Sequence, residues 1–192
     1  MKCPPLRMSK VAWSLIAGVA LAGATALAQD QSGASSKNLL PNGNFEKGME
    51  GWAITAFGKK GQGAIDDSEK REGRSTLRID NSEGDDASAR QKVAVEPNTR
   101  YRLEGYIKTK DVQAVKRGGK DGASLCLAGG WEKTQSVAGT RSWTRVTHDF
   151  ITGGETEVEV CARLGYISAP VTGTAWFSDI TLTKIGKAPP RR

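Results

Sequence analysis

The chain has 192 residues, with 28 lysines and arginines against 21 acidic residues, and a formal net charge of +7. That length suits one domain with a real core. The charged residues of both signs are interspersed rather than gathered into a basic stripe, which argues against nucleic acid as a partner.

The first segment reads as an export signal. Lys2, Arg7 and Lys10 give a positive start with no acidic residue. Residues 11–28 are then apolar or small apart from Ser14 and Thr25, and close in Ala26-Leu27-Ala28 before polar Gln29 and Asp30. Positive, apolar, small-x-small, polar is the order of a cleaved secretory signal over residues 1–28. An uncleaved anchor is the rival, but the run is short for a span and rich in alanine and glycine. No cysteine directly follows it, so a lipid anchor is not expected, and with the run cleaved no membrane insertion is expected either. Removal takes three basic residues and Cys3, leaving a net charge of +4. The expected location is the periplasm or the medium.

Residues 29–37 are small and polar and read as a flexible leader. The domain is expected over 38–185, with an unstructured tail at 186–192. Within the domain no stretch has capped helical periodicity. Strand signals recur instead, at 75–79, 89–95, 101–108, 124–128, 143–150, 157–164 and 175–183. In 101–108, Tyr101, Leu103, Gly105 and Ile107 share one face. In 157–164, Val158, Val160, Ala162 and Leu164 point inward, with Glu157, Glu159, Cys161 and Arg163 outward. Short alternating strands between glycine turns indicate an all-β fold, an antiparallel β-sandwich.

Cys126 and Cys161 remain after cleavage, an even pair in an oxidising compartment. A disulfide is expected if their strands are neighbours; otherwise they are two free thiols. Two cysteines and one histidine without ligand spacing do not build a zinc site.

Several words in fixed order then carry a resemblance. They are Asn38-Leu-Leu-Pro-Asn-Gly-Asn-Phe-Glu46 with Gly51-Trp52, then Glu72-Gly-Arg-Ser-Thr-Leu77, then Pro97-Asn-Thr-Arg-Tyr101, then Gly139-Thr-Arg-Ser-Trp143, and last Gly173-Thr-Ala-Trp-Phe-Ser-Asp-Ile-Thr-Leu182. The sequence resembles carbohydrate-binding modules with a galactose-binding-like jelly roll, families four, nine and twenty-two among them. The resemblance covers 38–184 and speaks to fold more than to ligand. Each word also has a fold role. Asn42-Gly43 permits a turn with positive φ, Gly73 lets the chain reverse, and Trp52, Tyr101 and Trp143 are large enough to close a core.

The resemblance implies a structural calcium ion held by Glu46 and Asp179 with nearby carbonyls. Ser178 stands where the family writes a further acid, which weakens that ligand set. It also implies an outer sheet face that holds a glycan. The alternation places Tyr106, Lys108, Ser124, Cys126, Glu159, Cys161 and Arg163 outward, and Trp131 and Tyr166 follow glycines at the rim. Sugars need an exposed ring to stack on and polar groups to fix orientation. Trp131, Tyr106, Tyr166 and Arg163 are therefore the expected glycan contacts.

His148, inward between Val146 and Phe150, reads as a hydrogen-bonded, half-buried side chain rather than an acid–base catalyst. Asp66, Asp67, Asp85 and Asp86 read as solvated loop carboxylates, with no pair singled out for glycoside hydrolysis. The expected function is an exported non-catalytic module, monomeric, that binds a polysaccharide or other glycan. The alternatives are an envelope or adhesion domain that binds a protein, and a small polysaccharide-active enzyme.

Overall fold

The structure is a computed structural model that describes residues 37–189 other than 117, 118, 120 and 168. The export signal and nearly all of the leader lie outside the described residues. Nine strands follow in chain order: β1 (Ala53–Ala56), β2 (Gln62–Arg71), β3 (Arg74–Asp80), β4 (Ala87–Ala94), β5 (Thr99–Ala114), β6 (Ala123–Leu127), β7 (Gly139–Ile151), β8 (Glu157–Leu164) and β9 (Val171–Lys187). They form two antiparallel sheets, β1-β4-β8-β6 and β2-β3-β9-β5-β7. No helix occurs among the described residues. The fold is the antiparallel sandwich that the alternation indicates, in the jelly-roll form that the resemblance implies.

The core is the contact of the two inner faces. Leu77 and Ile79 of β3, Leu103 and Ile107 of β5, and Phe177, Ile180 and Leu182 of β9 meet Ala87, Ala89 and Val93 of β4 and Val160, Ala162 and Leu164 of β8. Burying each large side chain contributes about 1.5–3 kcal/mol. Phe45 and Trp52 pack with ring centroids 5.4 Å apart, and Tyr101 stacks on Phe150. The buried Tyr101 hydroxyl accepts the Glu96 N–H at 2.8 Å. Trp143 is only half-buried and does not join this core, which Phe45, Phe150 and Phe177 fill instead.

Two irregularities of the backbone shape the outer face of the five-stranded sheet. Glu72 and Gly73 both have positive φ, 49° and 79°, the turn that a two-residue β2–β3 hairpin needs. On β9, Asp179 has a φ of 50°, and the β5 register jumps there: Tyr106 faces Ser178 while Glu104 faces Thr181. This bulge resets the inward row from Ala175 and Phe177 to Ile180 and Leu182, and turns Asp179 outward. The opening loop docks beside it. Gly43 accepts the Ile180 N–H at 2.8 Å, and any Cβ at Gly43 would lie 1.9 Å from the Ile180 carbonyl oxygen.

The final strand outruns its expected end. β9 continues to Lys187, and the Ala188 N–H bonds the Asn98 carbonyl, so residues 186–188 are structured rather than tail. β1 and β2 are strands that the sequence pattern does not announce.

Candidate functional site

The four expected glycan contacts divide between two faces. Tyr106 lies on β5, in the five-stranded sheet, whereas Arg163 lies on β8, in the four-stranded sheet with Cys126 and Cys161. Tyr106 therefore does not share a face with the cysteines or Arg163, contrary to the expectation. Its ring is also covered: the Arg71 guanidinium lies 3.4 Å from its centroid. A ring so occupied is not free to stack on a sugar.

Trp131, Tyr166 and Arg163 do come together. After β6 the chain turns at 128–131 and returns alongside it, with Lys133 facing Cys126 and Val137 facing Ala123. Trp131 sits at the tip of this return, 80% exposed. Tyr166 follows Gly165, whose φ of 100° swings the chain back over the outer face. The Tyr166 ring is 5% exposed, packs on Cys126 and Cys161, and donates its hydroxyl proton to the Gly130 carbonyl at 2.9 Å. Trp131 leans on it, centroids 6.3 Å apart and planes at 55°. Lys133 Nζ stands 4.0 Å from the Tyr166 centroid and the Arg163 guanidinium carbon 5.1 Å. Burial, and next the Cys126 thiol, push the Tyr166 hydroxyl above its usual pKa, so it remains a donor at neutral pH.

Arg163 is not an exposed contact. Its Nε and Nη2 form a fork on Asp86, at 2.6 and 2.5 Å, and both side chains are largely buried. Bidentate pairing of this kind holds both planes in place. The Asp86 carbonyl accepts the N–H of Phe57, a second exposed ring at 75%. Trp131, Tyr166, Arg163, Asp86 and Phe57 thus form one chain of contacts across the four-stranded sheet, from the β6 turn to the loop after β1. Phe57 carries no signal in the sequence, because its exposure comes from a loop anchored elsewhere. The anchor is Asp85, whose carboxylate accepts the N–H groups of Gly58, Lys60, Gly61 and Asp86 at 2.6–2.8 Å. Asp85 and Asp86 are buried, not solvated as the sequence suggests. Asp66 is engaged too, accepting the Trp176 indole N–H at 2.8 Å, and Asp67 accepts the Ser75 hydroxyl.

Cys126 and Cys161 are paired residues across β6 and β8, both fully buried under Tyr166. They are held as two thiols in hydrogen-bonding contact. That contact, and then burial, push the Cys161 thiol well above its ordinary pKa. His148 is half-buried on the inward row of β7, with Nε2 against the Glu132 carboxylate.

The expected calcium ligands do not gather. Asp179 Oδ1 accepts from Arg74 Nη2 at 2.8 Å, and Oδ2 accepts from Arg71 and from the Ser178 hydroxyl. Glu72 braces the same two arginines. A divalent cation here would have to sit among oxygens already facing two positive guanidinium groups, so this donor set does not fit calcium. Glu46 is exposed. Among the described residues no group of three or more His, Cys, Asp or Glu side chains is placed to hold a metal.

The two antiparallel sheets define the class first, a jelly-roll β-sandwich. The comparisons narrow it. The family described as carbohydrate binding domain (CBM_4_9) matches residues 37–164, and the chain belongs to that family. It is 31% identical over 180 residues to exochitinase 1 of Streptomyces olivaceoviridis, covering 94% of this chain and 27% of that protein. It is 29% identical over 166 residues to the tRNA nuclease WapA of Bacillus subtilis strain 168, covering 78% of this chain and 7% of that protein. The chain thus spans about a quarter or less of these relatives. Among solved structures it resembles TmCBM61 in complex with β-1,4-galactotriose, with a TM-score of 0.56 at 18% identity over 78% of this chain and 100% of that one. The CBM22-1 xylan-binding domain of Paenibacillus barcinonensis Xyn10C gives a TM-score of 0.52 at 14% identity over 80% and 97%. At these identities the likeness shows the fold alone.

Proposed function

We propose that the chain is an exported, non-catalytic carbohydrate-binding module that takes its glycan at the Trp131 rim of the four-stranded sheet. The observation that carries this is the Trp131 ring, 80% exposed yet backed by Tyr166, which is itself fixed on Gly130 and the cysteine pair. An exposed ring on a rigid backing offers a flat apolar platform at little entropic cost. Lys133, paired with Asp121 at 3.1 Å, steadies the same Tyr166 ring. The export signal at 1–28 supports a secreted or periplasmic location. A relative named an exochitinase, and neighbours named as xylan-binding or bound to galactotriose, agree with a polysaccharide ligand.

In that compartment Cys126 and Cys161 are read as a disulfide. Each thiol gives up a proton and an electron to a thiol–disulfide exchange oxidant, and one S–S bond forms between paired residues of β6 and β8. Asp179 is read as the acid of an ion-pair cluster rather than as a calcium ligand.

The test is a glycan array on the purified chain, followed by calorimetry on Trp131→Ala and Tyr106→Ala. Trp131→Ala weakens binding by about tenfold or more, equivalent to about 1.4 kcal/mol, and Tyr106→Ala leaves it within about twofold. Binding that survives Trp131→Ala but is lost in Tyr106→Ala overturns the rim. Failure of every glycan, with and without calcium, overturns the carbohydrate reading.

A further inference from the structure

The outer face of the five-stranded sheet holds a groove of about 420 Å³, on the opposite side of the sandwich from the Trp131 rim. Its wall is Trp176 of β9, 9% exposed, with its indole N–H fixed on Asp66. Lys108, paired with Glu69 at 2.7 Å, lies beside that ring at 5.8 Å. The size falls in the range of small-ligand sites.

The charge balance within the groove is uneven. The Lys108–Glu69 pair is neutral. Asp111 of β5 brings one negative charge to the groove, its carboxylate accepting the Thr140 hydroxyl of β7 at 3.1 Å. Lys110 and Arg141 also line the groove, on the adjacent strands β5 and β7. Both are exposed, and neither has an ion-pair partner among the described residues. The other arginines of this face are spent on carboxylates: Arg145 on Glu104, Arg78 on Asp80, Arg102 on Asp149. Two unpaired cations beside an apolar wall suit a ligand with an apolar ring face and an anionic substituent.

We propose that this groove is a second carbohydrate site, for an acidic glycan whose carboxylate or sulfate groups are met by Lys110 and Arg141. It does not depend on the Trp131 rim. The two sites face away from each other, so one molecule can hold a neutral and an acidic polymer together.

The experiment titrates the chain, by calorimetry at low and moderate salt, with an oligogalacturonide and with a dextran sulfate oligomer, and with neutral dextran as control. Three proteins are compared: the unaltered chain, the double variant Lys110→Ala/Arg141→Ala, and Trp131→Ala. Both substituted cations are exposed, so the fold is retained, which a thermal melt confirms. At least one acidic probe binds the unaltered chain, at least tenfold more weakly in the double variant and unchanged in Trp131→Ala, and added salt weakens it. Which probe wins tells carboxylate from sulfate. Equal binding by the double variant overturns the proposal. So does loss of acidic binding in Trp131→Ala, equal binding of neutral dextran, or binding of neither acidic probe. None of these outcomes bears on whether a neutral glycan binds at Trp131.

Discussion

Asp85 shows how much one side chain organises. It is 2% exposed and binds four backbone N–H groups, three of them from the loop that carries Phe57. Burial alone would raise its pKa. The bonds from Gly61, Gly58, Lys60 and Asp86 outweigh that and leave it below the usual carboxylate range. A depressed folded-state value means stability that is present above the unfolded pKa, about 3.9, and lost as pH falls through the lower folded value. Asp85→Ala strands those donors and costs about 3 kcal/mol. Urea titrations at pH 7 and pH 3 check both: the unaltered chain loses stability toward pH 3, and the variant loses less. The sequence hides this role, because an Asp-Asp pair after a glycine looks the same whether it faces water or caps a loop. Tyr106 failed for a related reason. Alternation gives the parity of a residue within its strand but not the sheet its strand joins.

At the scale of elements, the strands with an inward apolar row were readable, and their rows are those of the core. β1 is only four residues long. β2 is an edge strand whose Asp-Asp-Ser-Glu-Lys-Arg half breaks register with β3 after Asp66, and charge is what an edge strand tolerates. Neither offers a period to read. The bulge at Asp179 was hidden for a different reason, since a one-residue insertion shifts parity without changing composition. Asp179→Asn keeps a residue tolerant of the left-handed backbone but leaves Arg71 and Arg74 with Glu72, the more exposed of the two acids they share. It lowers stability by about 2 kcal/mol, whereas a chelator leaves the melting temperature of the unaltered chain within about 1 °C, because Asp179 is engaged by two guanidinium groups. A chelator-induced drop of several degrees would restore the calcium expectation. The β6–β8 pair gives a third test. The unfolded protein, isolated under oxidising conditions, gains about two mass units on reduction, and the fold loses about 3 kcal/mol with the bond. No mass change would leave two buried thiols.

For the whole molecule, the sandwich does two things. It buries a single core between two sheets, and it presents their outer faces in opposite directions, one ending in the Trp131 rim and the other holding the Trp176 groove. The fold was readable from five words and their order. The rim was readable only in part: Trp131 and Tyr166, singled out because they follow glycines, do pack together, and Arg163 is buried on Asp86 behind them. The central claim is that a glycan stacks on Trp131. After removal of residues 1–28, four tryptophans remain, of which Trp52 and Trp176 are buried, Trp143 is half-buried and Trp131 is exposed. Titrating tryptophan emission with the glycan found by the array tests the claim most directly. A blue shift that saturates at the calorimetric affinity, and disappears in Trp131→Ala, is the predicted result. Heat of binding with no change in emission would place the sugar elsewhere and contradict it.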